Sequence, residues 1–376
     1  MSKNVDTKPR ASLSATTAKK NSVGKIVVVV LLALVAIASL VMLVLKYQTD
    51  SLYDTISKGI EFDPDNIAII ENKEVVQSVI SKDKYYTQAE TNEAYKSDIA
   101  KVKDNYISNS TKATEKEDIF TYVLYGLDAY ENGQADIITL VSVNKKTKQI
   151  HYVSIAPNSL VFIPEVADGG IVGPLYHAYD FGGGNLLVKT ISQNFGIYIH
   201  GYAELNMEGA EKVIGELGSV KVSMTADEIA QFNKAVESYD NRFDIEVNPI
   251  DSKVAGEYEL DVQQVMAYIR GVNSERQTAV FTIMKAAAKQ AMNDGFGDFK
   301  DFITNILGDG VTVAMDKDDF DVLVQSAMFS LNDYLENGFE TYIFGTDTKE
   351  SKSLGGVSYT MYDYEDALHS LTKEIY

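Results

Sequence analysis

The chain of 376 residues contains no cysteine, only four histidines and only four arginines. Without cysteine it can form neither disulfide bonds nor a thiolate nucleophile. The histidines lie far apart, with none of the spacings that are typical of a metal site, and no P-loop or Ser-His-Asp pattern is present. Stability must therefore come from an apolar core, for which 45% of hydrophobic residues is ample.

One long run without charge extends from Ile26 to Leu45. A helix of this length spans roughly 30 Å, which is the thickness of a bilayer core. Because the apolar run continues past the small residues at 36–38, a retained anchor is predicted rather than a cleaved signal peptide. Six basic residues and one aspartate precede the run, which predicts a cytoplasmic N-terminus. The sequence thus predicts a single-pass protein of the cell membrane, with its C-terminal domain outside the cell.

The first 25 residues carry a net charge of +5, so the total of −20 leaves −25 for the remainder. An external part this acidic repels nucleic acid, and the sequence shows no helix-turn-helix or basic stripe. These observations exclude a nucleic-acid partner and argue against a regulator that binds DNA directly.

The chain divides into four predicted parts: a basic cytoplasmic tail at 1–25, a transmembrane helix at 26–45, an external helical linker or accessory segment at 46–116, and a folded domain at 117–376. In the third part, Tyr95, Ile99, Val102 and Tyr106 follow the spacing of an amphipathic helix. This stripe covers barely two heptads. Packing against the domain is therefore favoured over a stalk or a dimerising coil.

From residue 117 onward, predicted strands and helices alternate, which is typical of an α/β domain. A strand at 121–127 is followed by a hairpin with strands at 136–144 and 149–155, and by a helix at 185–195 that Gly196 closes. The later elements are a strand at 198–205 and four helices, at 207–216, after Thr225, at 262–270 after Asp261, and at 276–292. The tail is predicted to contain helices at 299–307 and 316–334, strands at 339–344 and 355–362, and a helix at 363–375.

The motifs between residues 121 and 196 resemble those of the LytR-CpsA-Psr family of cell-envelope proteins. That family typically shows Gly-x-Asp-x-Arg at a strand end, then Arg-x-Asp-Thr, and later Ala-Ala-Tyr-x-x-Gly-Gly before a helix. This chain has Gly126-Leu-Asp128, then Asp136, then Ala178-Tyr-Asp-Phe-Gly-Gly183. The resemblance covers about residues 118–376. It implies an α/β fold in which a mixed sheet is flanked by helices as an α-β-α sandwich, behind a single N-terminal transmembrane helix.

The resemblance also implies a ligand and a reaction. Family members hold a glycan carried on polyprenyl diphosphate and transfer it as a phosphate ester to a hydroxyl of peptidoglycan. Two aspartates hold a divalent metal that bridges the phosphates, and Mg²⁺ prefers such oxygen ligands. Asp128 and Asp136 match these positions and are the predicted metal ligands. Each alone reads equally as a turn or strand-start residue, but their joint position in this frame favours the metal.

Several of the family's arginines are missing, although guanidinium groups match phosphate oxygens well. Their positions are occupied by Tyr130, Gln134, Pro157 and Asn273. A single donor aimed at developing charge is often worth about 2.7–4 kcal/mol. Losing several should therefore slow phosphoryl transfer by orders of magnitude unless other cations substitute.

The remaining candidates for the diphosphate are Arg270, Lys189, Arg276 and Gln277. Arg270 ends a predicted element at the expected mouth of the site, and with Asp136 it is the predicted catalytic pair. Lys189 matches a basic residue of the family's helix, yet a solvated helix lysine is the commoner situation. Gln277 reads equally well as a surface glutamine of a helix.

Two hypotheses follow. In the first, the protein is a membrane-anchored member of the family that binds the polyprenyl-diphosphate-linked glycopolymer and transfers it to peptidoglycan. In the second, it is a catalytically degraded relative that binds lipid or polymer, or acts as a scaffold for an active paralogue. The arginine deficit leaves turnover open between them.

Overall fold

The computed structural model describes residues 84–89, 91–128, 134–147, 149–166, 169–216, 218–271, 311–322 and 340–375, and the single positions 53, 57, 60, 62, 63, 65, 80, 279, 282 and 283. Within this part of the chain, no helix is both long and apolar enough to cross a bilayer. The predicted membrane segment at 26–45 and the predicted helix at 299–307 lie outside the described residues, as does most of the predicted helix at 276–292.

The described helices, in chain order, are α1 (Lys84–Ala89), α2 (Glu93–Asn109), α3 (Tyr176–Phe195), α4 (Met207–Glu216), α5 (Ala226–Phe243), α6 (Val262–Gly271) and α7 (Tyr364–Ile375). The described strands are β1 (Ile119–Leu127), β2 (Ala135–Asn144), β3 (Gln149–Ile155), β4 (Leu160–Ile163), β5 (Ile171–Pro174), β6 (Gly201–Leu205), β7 (Val220–Met224), β8 (Gly256–Leu260), β9 (Val311–Met315), β10 (Glu340–Ile343), β11 (Lys349–Leu354) and β12 (Val357–Tyr362).

Six of these strands form one mixed sheet in the order β9-β6-β1-β2-β3-β10. The strands β1, β2 and β3 pair antiparallel in sequence order, which confirms the predicted hairpin. The pairs β1–β6 and β3–β10 are parallel, and β9 is antiparallel to β6. The predicted mixed α/β fold is thus confirmed in its sheet.

Alternation along the central strands divides the core into two layers, because successive side chains of a strand point to opposite faces. Tyr122 and Leu124 of β1 pack with buried residues of α4, α5 and α6 on one face. Val123 and Tyr125 pack with buried residues of α1, α2, α3 and α7 on the other. The sheet therefore lies between two layers of helices, in agreement with the predicted α-β-α sandwich.

The helix predicted from the apolar stripe is α2, and it packs on the domain. Tyr95 and Val102 are buried in the core that α3 also lines. The Asn105 side chain donates a hydrogen bond to the carbonyl of Asn194 at 3.0 Å, and the Tyr106 hydroxyl donates to Gln193 at 2.9 Å. The stripe therefore serves packing within the domain.

Local sequence signals set several helix ends. Thr225 and Glu228 form the predicted capping box at the start of α5. Asp261 caps α6, since its Oδ1 accepts the backbone N–H of Gln264. Gly196 ends α3 in the left-handed conformation (φ 66°), where glycine is favoured because it lacks a Cβ. These three predictions are confirmed.

The structure differs from the sequence prediction in several elements. The helix predicted from residue 185 begins at Tyr176 and crosses a break at Gly182 and Gly183, where the backbone leaves helical geometry. The strand predicted at 198–205 begins only at Gly201. The strands β4, β5, β7, β8, β9 and β11 were not predicted. The first five have only four or five residues, which give few positions for a clear alternation.

Candidate functional site

Three side chains from three elements meet at one end of the sheet. Asp128 follows the last residue of β1, and Asp136 is the second residue of β2. Arg270 belongs to the last turn of α6. Its Nη2 lies 3.7 Å from Asp128 Oδ2, and its Nη1 lies 3.9 Å from Asp136 Oδ2. We call Asp128, Asp136 and Arg270 the strand-end site.

The Arg270 guanidinium is held from several sides. Its Nη2 donates to the main-chain carbonyl of Asp128 at 3.1 Å, and its Nη1 lies 3.7 Å from the sulfur of Met207. Its central carbon lies 5.2 Å from the centroid of the Phe243 ring, which is a cation–π contact. A cation in the last turn of a helix is also favoured by the helix dipole. The guanidinium is thus oriented before any ligand arrives.

The strand-end site is only partly covered. The side chains of Arg270, Asp128 and Asp136 are 13%, 17% and 15% exposed. Two carboxylates and one guanidinium carry a net charge of −1. Partial burial strengthens the interactions of these charges compared with bulk water. A diphosphate is itself negative, so it would be repelled unless a further cation enters with it.

The donor set fits Mg²⁺, which is usually held by one or two carboxylates together with phosphate oxygens. Asp128 and Asp136 supply such oxygens within 4 Å of one guanidinium. Among the described residues there is no group of three or more His, Cys, Asp or Glu side chains that could hold a metal. Oxygens of a phosphate ligand and of water could complete the coordination of Mg²⁺ at these two carboxylates.

Gln134, which stands at an arginine position of the family pattern, orients Asp128 through the backbone. Its N–H donates to Asp128 Oδ1 at 2.8 Å, and its carbonyl accepts from the Asp128 N–H at 3.0 Å. Its side-chain amide donates to Asp180 Oδ2 at 2.8 Å, and His177 Nε2 lies 3.9 Å from the same oxygen. A neutral amide thus occupies the place of a cation.

Lys189 is engaged with a carboxylate outside the strand-end site. Its Nζ lies 2.5 Å from Glu165 Oε1 and 3.9 Å from Asp65 Oδ1, and the side chain is 11% exposed. Glu165 is one of two described non-glycine residues with positive φ. The predicted contact of Lys189 with a diphosphate would require it to leave Glu165. Arg276 and Gln277 lie outside the described residues.

A second polar group beside this end of the sheet was not predicted from the sequence. The hydroxyls of Tyr125 and Tyr179 both donate to Glu204 Oε2, at 2.8 and 3.0 Å. Burial, reinforced by the charge of Glu204, raises the pKa of Tyr202 to about 12 and raises the pKa values of Tyr125 and Tyr179 as well. At neutral pH these phenols are therefore hydrogen-bond donors. No sequence signal links residues so far apart along the chain.

An α/β sandwich with two carboxylates and an arginine at the strand ends defines a class of phosphate-binding candidates, and comparison with known proteins specifies the family. The model of the LytR_cpsA_psr family matches residues 76–292, which is more than half of the chain. The chain belongs to the LytR-CpsA-Psr family. The match begins ahead of α1 and α2, so both helices fall within the family's region.

Two curated relatives share the name polyisoprenyl-teichoic acid–peptidoglycan teichoic acid transferase. TagU of Oceanobacillus iheyensis is 26% identical over 228 residues, which cover 56% of this chain and 63% of the relative. TagT of Bacillus subtilis is 31% identical over 161 residues, which cover 41% of this chain and 46% of the relative. The chain thus spans less than two thirds of the length of either relative.

Two solved structures share the fold. TagT bound to LIIa-WTA has a TM-score of 0.52 at 22% identity, covering 71% of this chain and 94% of that one. A protein from Streptococcus agalactiae has a TM-score of 0.54 at 18% identity, covering 68% of this chain and 88% of that one. At these identities the likeness establishes the fold of the described domain.

Proposed function

We propose that this protein is anchored in the cell membrane, binds a glycopolymer carried on polyprenyl diphosphate, and transfers it to peptidoglycan. The family membership and the names of TagU and TagT support the class of substrate and acceptor. The observation that carries the proposal is the Arg270 guanidinium, which lies within 4 Å of both Asp128 and Asp136 at the sheet end. The apolar run at 26–45 supports the anchor.

In this proposal the strand-end site binds the diphosphate. Arg270 donates to phosphate oxygens through its planar group, which suits oxyanions in a fixed geometry. Asp128 and Asp136 would hold Mg²⁺, and the ion would supply positive charge to offset the negative charge of the site and of the ligand. Lys189, Arg276 and Gln277 are the further proposed contacts to the diphosphate.

The proposed reaction is a phosphoryl transfer. The oxygen of an acceptor hydroxyl forms a bond to the phosphorus that carries the glycan, and the bond from that phosphorus to the bridging oxygen breaks. The glycan phosphate becomes a phosphodiester of the acceptor, polyprenyl phosphate leaves with the bridging oxygen, and the hydroxyl proton passes to a base or to water. Arg270 acts in this step because charge on the phosphate oxygens must be stabilised throughout.

A second candidate function is supported by a specific observation. Gln134 places a neutral amide at an arginine position and donates to Asp180, while Lys189 is paired with Glu165. Position 134 therefore supplies no positive charge to a diphosphate, and the charge at position 189 is already paired with a carboxylate. A protein that retains lipid or polymer binding without turnover, acting as a scaffold for a paralogue, accounts for this arrangement.

The deciding experiment is titration of the full-length protein in nanodiscs with polyprenyl diphosphate, with and without Mg²⁺. Asp136→Asn and Arg270→Ala are the test variants, and Asp118→Asn, an exposed aspartate ahead of β1, is the matched control. We expect Mg²⁺-dependent binding that both test variants abolish and the control retains. Absence of binding by the wild type would overturn the proposal. Binding without transfer to peptidoglycan would establish the second candidate.

A further inference from the structure

The carboxylate of Glu204, near the end of β6, is oriented by hydrogen bonds to only one of its two oxygens. Both phenol donors, Tyr125 and Tyr179, bond to the same oxygen, Oε2. Within the described part of the chain, Oε1 accepts no hydrogen bond. Glu204 and Tyr179 are only partly buried, whereas Tyr125 is 2% exposed. The residue therefore presents a fixed, charged acceptor at a partly open surface.

The aromatic residues around Glu204 form a close-packed wall. The ring of Tyr125 lies 5.4 Å from that of Tyr179 and 5.6 Å from that of Tyr202. Gly184 of α3 leaves the room for this packing, since a Cβ there would lie 2.4 Å from Tyr202 Cζ and 2.5 Å from the Tyr125 oxygen. Any larger residue at 184 would displace the phenols. The orientation of Glu204 thus depends on packing from two elements of the fold.

This group lies beside the strand-end site. Tyr125 pairs with Glu204 in the parallel register of β1 and β6, and Asp128 follows three residues later, about 10 Å along an extended chain. A second connection runs through α3, where Asp180, the neighbour of Tyr179, accepts the Gln134 amide bond described above. Because β1 and β6 run parallel, Glu204 and the strand-end site lie at the same end of the sheet.

The chemistry of Glu204 selects the ligand. Its negative charge repels phosphate, so it does not extend the diphosphate site. The Oε1 oxygen of Glu204 can accept a hydrogen bond from a neutral donor, and the partly exposed ring of Tyr179 can pack against an apolar face of a ring-shaped ligand. Sugar hydroxyls meet both requirements.

We infer that Glu204, with Tyr125 and Tyr179, forms a glycan-binding site in which Oε1 accepts a hydrogen bond from a sugar hydroxyl. The inference rests on the proposed function, because it assigns a residue to the sugar part of the same ligands. Two sources of the hydroxyl share this chemistry: the glycan on the polyprenyl diphosphate and the peptidoglycan acceptor.

The test uses Glu204→Gln in the full-length protein, because glutamine keeps the shape and can still accept from both phenols but loses the charge. Glu208→Gln, an exposed position on α4, is the matched control. Three quantities are measured: Kd for bare polyprenyl diphosphate, Kd for the same lipid carrying a glycan, and KM for a disaccharide–peptide fragment of peptidoglycan.

We expect Glu204→Gln to leave the Kd for bare lipid unchanged and to raise one of the two sugar-dependent constants at least tenfold. A raised Kd for the glycan-bearing lipid assigns the hydroxyl to the donor, and a raised KM assigns it to the acceptor. If neither changes more than twofold while thermal unfolding stays cooperative, the residue only ties α3 to the sheet and the inference fails.

Tyr179→Phe keeps the inference testable should Glu204→Gln fail to fold. It removes one of the two phenol donors without altering charge, and a change of about threefold in the same constant is expected. An unchanged constant would again overturn the inference. Failure of the wild type to bind bare lipid would instead overturn the proposed function, which the first of the three measurements reports separately.

Discussion

The strand-end site and the group around Asp98 are both built from opposite charges, yet they are arranged differently. Asp98 accepts two bonds from Lys352 Nζ at 3.0 and 3.1 Å and one from the Tyr359 hydroxyl at 3.0 Å, and its side chain is 4% exposed. In the strand-end site the ion-pair distances are 3.7 and 3.9 Å, and every side chain is at least 13% exposed.

In our proposal the group around Asp98 holds the fold, and the strand-end site binds a ligand. A buried carboxylate with all its partners in hydrogen-bond range has its charge compensated, and losing a partner is costly. A partly open group with unequal charges and longer distances retains capacity for further interaction. Changes in the first group should therefore affect stability, and changes in the second should affect binding.

The largest expected effect comes from Arg270→Ala. Because the Arg270 guanidinium lies within 4 Å of both Asp128 and Asp136, the variant should abolish lipid-diphosphate binding and slow transfer by roughly 100- to 1,000-fold, the equivalent of about 2.7–4 kcal/mol. Titration with polyprenyl diphosphate and single-turnover transfer measure these effects. Arg270→Lys retains the charge without the planar fork and should recover part of the binding. Unchanged binding in Arg270→Ala would remove the distinction between the two groups.

Asp98→Ala should produce the opposite pattern. Lys352 and Tyr359 lose their shared acceptor, so we expect the free energy of unfolding to fall by about 3 kcal/mol, as measured by denaturant unfolding. Lipid binding by the folded variant should stay within twofold of wild type. Asp104→Ala, an exposed aspartate on the same helix, is the control and should change stability little. A binding defect in folded Asp98→Ala would contradict the separation.

The Lys189–Glu165 pair is the intermediate case, with a short distance and partial exposure. If Lys189 reaches the diphosphate, Glu165 competes for it. Lys189→Gln should then weaken lipid binding by about three- to tenfold, and Glu165→Gln should strengthen it, because the ammonium is released. The pair of titrations decides between the roles. If lipid binding is unchanged in both variants, the Lys189–Glu165 pair serves the stability of the fold, as the group around Asp98 does.

The smallest expected effect concerns Asp319, where like charges lie together. Burial, together with the charges of Asp316 and Glu115, raises the pKa of Asp319 from 3.8 to about 6. The folded state therefore binds this proton more tightly than the unfolded state, and stability falls as pH rises from about 4 to about 6.

Asp319→Asn should remove this cost above pH 6. Because Asp319 is only half-buried and solvent screens the charges, we expect a gain of about 1 kcal/mol at pH 7.5 that shrinks at pH 4.5. Denaturant unfolding at the two pH values, with Asp118→Asn as the control, measures it. A gain of equal size at both pH values would show that charge is not the cause.

The sequence predicted the parts of the fold that depend on neighbours along the chain. The central hairpin, the capping box at Thr225 and the Gly196 helix end each rest on a few adjacent residues. The pair of short strands β7 and β8 could not be predicted in this way. β8 is mostly exposed and shows no clear apolar alternation. The two strands pair with each other and contribute buried residues to one layer of the core.

The candidate site divides in the same way. Asp128, Asp136 and Arg270 were selected by their place in a family pattern, and the fold brings these three together. Glu165 and Glu204 were not predicted, although they determine what Lys189 and the tyrosines do. Their contacts join residues 24 to 79 positions apart, and no local periodicity reports a contact of that range.

The contact between Asp98 and Lys352 has a consequence for how the protein is made. It joins positions that are 254 residues apart, and chains are synthesised from the N-terminus. The rings of Tyr95 and Tyr359 are also in contact, so this end of α2 gains part of its cover only after the β11–β12 hairpin has emerged. A nascent product that stops before residue 349 would lack both partners of Asp98, Lys352 and Tyr359, although the other end of α2 can already pack on α3.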